Sequence, residues 1–67
     1  ENATMCLSTV YQTVEGQRIE VMRDLSRLQA EGDGYHLTDL FGRCNQVQGH
    51  IAYIDLVDEH IVVLEKA

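Results

Sequence analysis

The sequence predicts an all-β domain, either a small barrel or a sandwich. Two observations carry that prediction. Segments rich in Val, Ile, Leu, Thr and Tyr recur along the chain, and turn signals separate them at short, regular intervals: "EG" at 15–16, "GDG" at 32–34, "FG" at 41–42 and "VDEH" at 57–60. Short β-favouring runs with a turn every eight to twelve residues or so are the pattern of a closed or two-layered sheet.

The elements follow in order. "CLSTVYQTV" (residues 6–14) is a strand candidate with two β-branched threonines and two valines. "QRIEV" (17–21) alternates Ile19 and Val21 with Arg18 and Glu20, the two-residue period of a half-buried strand. The Asp-Gly pair of "GDG" tolerates the positive φ angles of a tight hairpin. "YHLTDLF" (35–41) alternates again, and "HIAYIDLV" (50–57) and "IVVLE" (61–65) flank the last turn. One stretch fits two periods. "RIEVMRDLSRLQAEG" is rich in helix formers and repeats Ile19, Met22 and Leu25 at three-residue spacing, which suits an amphipathic helix ending at Gly32. It also splits at "RD" into two strands, with Leu28 and Ala30 on one face.

Sixty-seven residues allow a single domain. A chain of this length buries only about 60% of its unfolded-state surface, so a metal or a partner subunit is a natural supplement to its core. With 45% hydrophobic and 24% charged residues the chain is globular and not disordered. Eleven acidic residues against five basic ones give a net charge of −6, and Arg18, Arg23, Arg27, Arg43 and Lys66 form no cluster. Nucleic-acid binders neutralise phosphates with grouped cations, so nucleic acid is disfavoured as a partner. No apolar run approaches the roughly 18 residues of a membrane span and no signal peptide is evident, so the chain is expected to be cytoplasmic. Cys6 and Cys44, far apart and outside any C-x-x-C pair, are then expected as free thiols.

Few residues carry chemistry. No G-x-S-x-G, phosphate-binding glycine loop, H-E-x-x-H or nucleophile beside a base occurs, so no enzyme is predicted. His36, His50 and His60 have no ligand spacing and are expected as unrelated strand or surface residues. Asp39 is expected to accept backbone N–H bonds that fix the turn before Gly42, Asp55 to act similarly, and Asp58–Glu59 to be a solvated turn. Cys44 falls in a turn region as filler or an inert thiol. Tyr11, Tyr35, Tyr53 and Phe41 could stack bases, but without a basic groove they are expected as core or rim aromatics.

The opening is the distinctive feature. "MCLSTVY" (5–11) is followed by Glu20, Val21, Met22 and Asp24, then "LTDLFG" (37–42), then Val47, Gly49 and Ile51, and finally "IDLV" (54–57) with Ile61. In this order and spacing, the chain resembles the family of small nickel-binding proteins typified by CooT, whose members were earlier labelled predicted RNA-binding proteins. The resemblance covers Met5 to Leu64. It implies a compact small β-barrel of about six to seven short strands over residues 5–67, strands in place of the helix alternative, and a homodimer. It implies Ni(II) as ligand, Cys6 behind the initiator Met as the metal-binding residue, and a role in nickel handling or delivery for maturation of carbon monoxide dehydrogenase or another nickel enzyme. An RNA-binding module is the alternative. On this reading Glu1–Thr4 are a remnant of expression ahead of the natural start, and they would turn the α-amine of Cys6 into an amide. Cys44 lies outside the family pattern, so nothing transfers to it.

Overall fold

A computed structural model describes residues 7–66. Six strands follow one another: β1 (Ser8–Val14), β2 (Gln17–Glu31), β3 (Gly34–Asp39), β4 (Cys44–Gln48), β5 (His50–Asp55) and β6 (Ile61–Glu65). They form one sheet in the order β4-β3-β2-β1-β6-β5. Neighbours are antiparallel except β1 and β6, which run parallel. The β1–β2 turn holds Glu15 and Gly16, both at positive φ (52° and 80°), the backbone signature of the two-residue turn whose twist matches a hairpin. In the second hairpin the two linking residues are Gly32 and Asp33, so Gly34 belongs to β3 and not to the turn.

The sheet is curled but open, which corrects the expected barrel. Its edge strands β4 and β5 are joined by Gly49 alone. Laid flat, those edges would be about 24 Å apart at the usual ~4.8 Å strand spacing, so the sheet must coil until they meet at this corner. Gly49 makes the meeting possible: its φ is 129°, its N–H donates to the Asp33 carbonyl at 3.1 Å, and a Cβ there would collide with the Glu65 backbone. Gln12 Nε2 adds a bond across the gap to the Gln48 carbonyl at 3.3 Å. No ladder pairs β4 with β5, however. Both run in the same direction, and a one-residue link carries the chain onward without the reversal that side-by-side antiparallel pairing needs.

The disputed stretch is one 15-residue strand. Its first half pairs with β1 and its second with β3, and the change of neighbour is accommodated by irregularities. Asp24 takes a positive φ of 55°, and the β2–β3 register shifts between Leu25 and Arg27. Each irregularity inserts a residue and so flips the inward-facing parity. Met22, Leu25 and Leu28 therefore all reach the core at three-residue intervals, which is the spacing that imitates a helix. The bulges are tied down locally: Leu40 N–H donates to the Asp24 carbonyl, and Ser26 Oγ donates to the carbonyls of Thr38 and Asp39, each at 3.0 Å.

The core joins Val10, Met22, Leu37, Val47, Val62 and Leu64, with half-buried Val21, Leu25, Leu28, Tyr35 and Ile51 packed against it. Strand β6 is buried on both faces from Ile61 to Leu64, which accounts for its unbroken apolar run. Strand β4 is an exposed, polar edge with only Val47 inside. Its polarity hid it in the sequence, where Cys44 reads as part of a turn.

Candidate metal centre

Cys6 lies outside the described residues. Ser8 opens β1 opposite Leu25, and Thr9, opposite Ile61, donates its N–H to the His60 carbonyl at 3.0 Å. Ser8 and Asp39 both pair with Leu25, so the β1 entry lies level with the middle of β2. On one side, two strands away, is the β3–β4 turn (40–43); on the other, again two strands away, is the β5–β6 turn (56–60).

Both turns are organised by a carboxylate, as the sequence suggests. Asp39 is buried, and its Oδ1 accepts from the N–H groups of Phe41 (2.8 Å) and Arg43 (2.9 Å) while Oδ2 accepts from Arg43 Nε (2.7 Å). Burial pushes its pKa up, but the Arg43 backbone and guanidinium and the Phe41 N–H outweigh that and hold it below the ordinary carboxylate value. Asp55 Oδ1 accepts from Val57 (3.0 Å) and Asp58 (2.9 Å) N–H groups, and these bonds, the Asp58 N–H first, lower its pKa against a smaller effect of burial. Glu59 accepts from the Tyr53 hydroxyl at 2.9 Å, the main cause of that phenol's raised pKa.

Because a depressed carboxylate pKa stabilises the fold above the unfolded-state value and loses that contribution as pH falls through the folded one, the melting temperature should fall on the acid side of about pH 4. Asp39→Asn should lower the melting temperature at pH 7 and flatten this acid limb, as thermal melts followed by circular dichroism across pH 2–7 would register. A limb as steep in the variant as in the parent would remove Asp39 as its origin.

The other candidates do not converge. His36 lies within β3, 3.8 Å from a Glu31 carboxylate oxygen; His50 opens β5, 3.9 Å from a Glu65 carboxylate oxygen; His60 closes the β5–β6 turn. Cys44 is an exposed free thiol opening β4, within 3.7 Å of the Gly42 carbonyl. Among the described residues no three His, Cys, Asp or Glu side chains are placed to hold a metal. Nor do the aromatics form a stacking surface. Tyr35 packs on the core, Phe41 sits on a turn under the Arg43 guanidinium (5.4 Å), and Tyr53 bonds to Asp55 and Glu59, whose charges would repel phosphate. No helix among the described residues is long and apolar enough to cross a membrane.

Comparison with known proteins decides the family. The sequence profile of the family described as "CO dehydrogenase accessory protein CooT" matches residues 5–64. This chain belongs to the CooT family. A crystal structure of a putative CooT from Carboxydothermus hydrogenoformans has the same fold: it superimposes with a TM-score of 0.82 at 21% identity, covering 92% of this chain and 98% of that one. No curated protein matches the chain. CooT is an accessory protein and not a catalyst, in keeping with a sequence that carries no catalytic motif. The match begins at Met5, the residue ahead of Cys6.

Proposed function

We propose that this CooT-family chain is a cytoplasmic Ni(II) carrier acting in nickel handling or delivery for carbon monoxide dehydrogenase or the machinery that matures it, with Cys6 as its metal-binding residue and a homodimer as its working form. The observation that carries this reading is the family match over residues 5–64, a span that includes "MC". The donor chemistry agrees with it. A cysteine whose α-amine is free offers thiolate and amine on one residue, closing a five-membered chelate ring. Their ordinary pKa values, about 8.5 and 7.7–8.0, let a metal displace both protons near neutrality. The next peptide nitrogen can add a donor, and nitrogen and sulfur in one plane suit square-planar Ni(II). With no three-donor cluster among the described side chains, two such termini brought together by a dimer axis would complete the coordination. Copper outranks nickel at most N/S sites, so selectivity rests on geometry or supply.

The test is equilibrium dialysis against Ni(II) of the chain expressed from Met5, with removal of that methionine confirmed by mass. Cys6→Ser should lose at least tenfold in affinity while Cys44→Ser is unchanged. Equal binding by the Cys6→Ser protein would overturn the assignment.

A further inference from the structure

Edge strands are ordinarily guarded against stray pairing by a charge, a proline or a bulge. Strand β5 follows that rule, for it carries Asp55 and its register is broken between Ile51 and Tyr53. Strand β4 does not. Its residues, CNQVQ, include no charge and no proline, and its register with β3 is unbroken from Cys44 to Gln48.

The ladder decides which backbone groups this edge presents. Peptide groups along an antiparallel strand point alternately toward the neighbour and away from it. Just beyond the two ends of β4, the Asp39 N–H donates to the Arg43 carbonyl (3.0 Å) and the Gly49 N–H to the Asp33 carbonyl (3.1 Å). Arg43 and Gly49 thus face β3, and Asn45 and Val47 between them do the same. The groups of Cys44, Gln46 and Gln48 point outward. Gln12 Nε2 donating to the Gln48 carbonyl agrees with this parity. Among the described residues no strand pairs with this edge, and the Cys44 and Gln46 groups are left open.

The edge borders a cleft. A cavity of about 610 Å³ lies between residues 45–48 on one wall and Glu20 and Val21 of β2 on the other, with Gln12 and Lys66 completing it. A second cavity shares Glu20, Val21 and Asn45 and extends the cleft to Cys44 and Arg23. Strand β3 joins β2 only from Leu25 onward, so this part of β2 has no strand on its cleft side. We propose that the cleft is a docking site for an extended segment of another polypeptide, which adds to β4 as a further strand. A row of open peptide groups at two-residue intervals, about 6.8 Å, is matched by another extended backbone. The segment is uncharged at its centre, because β4 offers it only amides and a thiol around the buried Val47. A second copy does not fit: a strand still carrying its own sheet neighbour would drive that neighbour into the β2 wall. The site uses neither Cys6 nor a metal, so it stands or falls apart from the nickel reading.

Selection from a displayed library of random octapeptides against the intact chain tests the proposal. The enriched peptides should be uncharged at their centres, and one of them, added to the labelled protein, should slow amide hydrogen exchange at Cys44, Gln46 and Gln48 at least tenfold. Gln46→Pro removes an outward N–H at an edge position that tolerates proline. It should weaken the peptide at least tenfold with the circular dichroism spectrum unchanged. N-methylation of the peptide amides that face β4 should do the same to the unaltered protein, independently of how the proline variant folds. No enrichment, protection elsewhere than β4, or indifference to N-methylation in both alternate registers would overturn the site. A change in the chain's own oligomeric state on Gln46→Pro would give the edge to a second copy and overturn it too.

Discussion

Replacing Gly34 by alanine is expected to unfold the protein. Gly34 is buried at the start of β3, opposite Gln48. A Cβ there would lie 2.7 Å from the Gln48 Cα and 2.9 Å from the Val47 carbonyl carbon, and closer still to the Val47 oxygen. These are backbone atoms of the neighbouring strand, so no side-chain rotation relieves the clash. Strand β4 would have to lift away, breaking its pairing with β3 and withdrawing Val47 from the core. The cost is on the order of the whole stability of so small a domain, roughly 3–5 kcal/mol. Circular dichroism and urea titration at 25 °C should find no cooperative transition. Gly16→Ala is the control: its Cβ meets nothing within 4 Å, and only the positive φ of 80° is strained, costing about 1–2 kcal/mol. Equal effects of the two substitutions would show that close approach to β4 does not govern Gly34.

Leu64→Ala should be nearly as damaging. Leu64 is fully buried in β6, between Gln12 of β1 and Ile51 of β5, where it holds the β5 side of the sheet to the core. Truncating a buried leucine costs about 2–5 kcal/mol, the upper values where the surroundings cannot collapse into the cavity. Strand β5 reaches the sheet only through β6, so the strand should detach before the remainder melts. Hydrogen exchange should show protection lost first over residues 50–55. Uniform loss of protection would contradict this order.

Much of this fold is legible in the residues, and what is not has identifiable causes. Alternation marks β3, β-branched residues mark β1, and an unbroken apolar run marks β6, which is buried on both faces. Asp39 and Asp55 are readable as turn makers because a short acceptor next to a turn has few other uses, and both accept backbone N–H bonds as expected. Strand β2 is ambiguous because its bulges space Met22, Leu25 and Leu28 by three. Gly34 looks like half of an Asp-Gly turn, whereas its role is to admit β4, a contact between residues 13 positions apart that no local pattern reveals. The barrel expectation fails on one residue, Gly49, which joins the two edges in line and leaves them unpaired.

Nickel titration followed by absorbance tests the central claim most directly. The chain expressed from Met5, with the methionine removed, should develop a thiolate-to-nickel charge-transfer band that saturates at one metal per two chains. The band should be missing from the Cys6→Ser variant and from the 67-residue chain, in which Glu1–Met5 block the amine of Cys6. A band of full intensity in the Cys6→Ser variant, or no band in the chain with Cys6 at its terminus, would contradict nickel binding at Cys6.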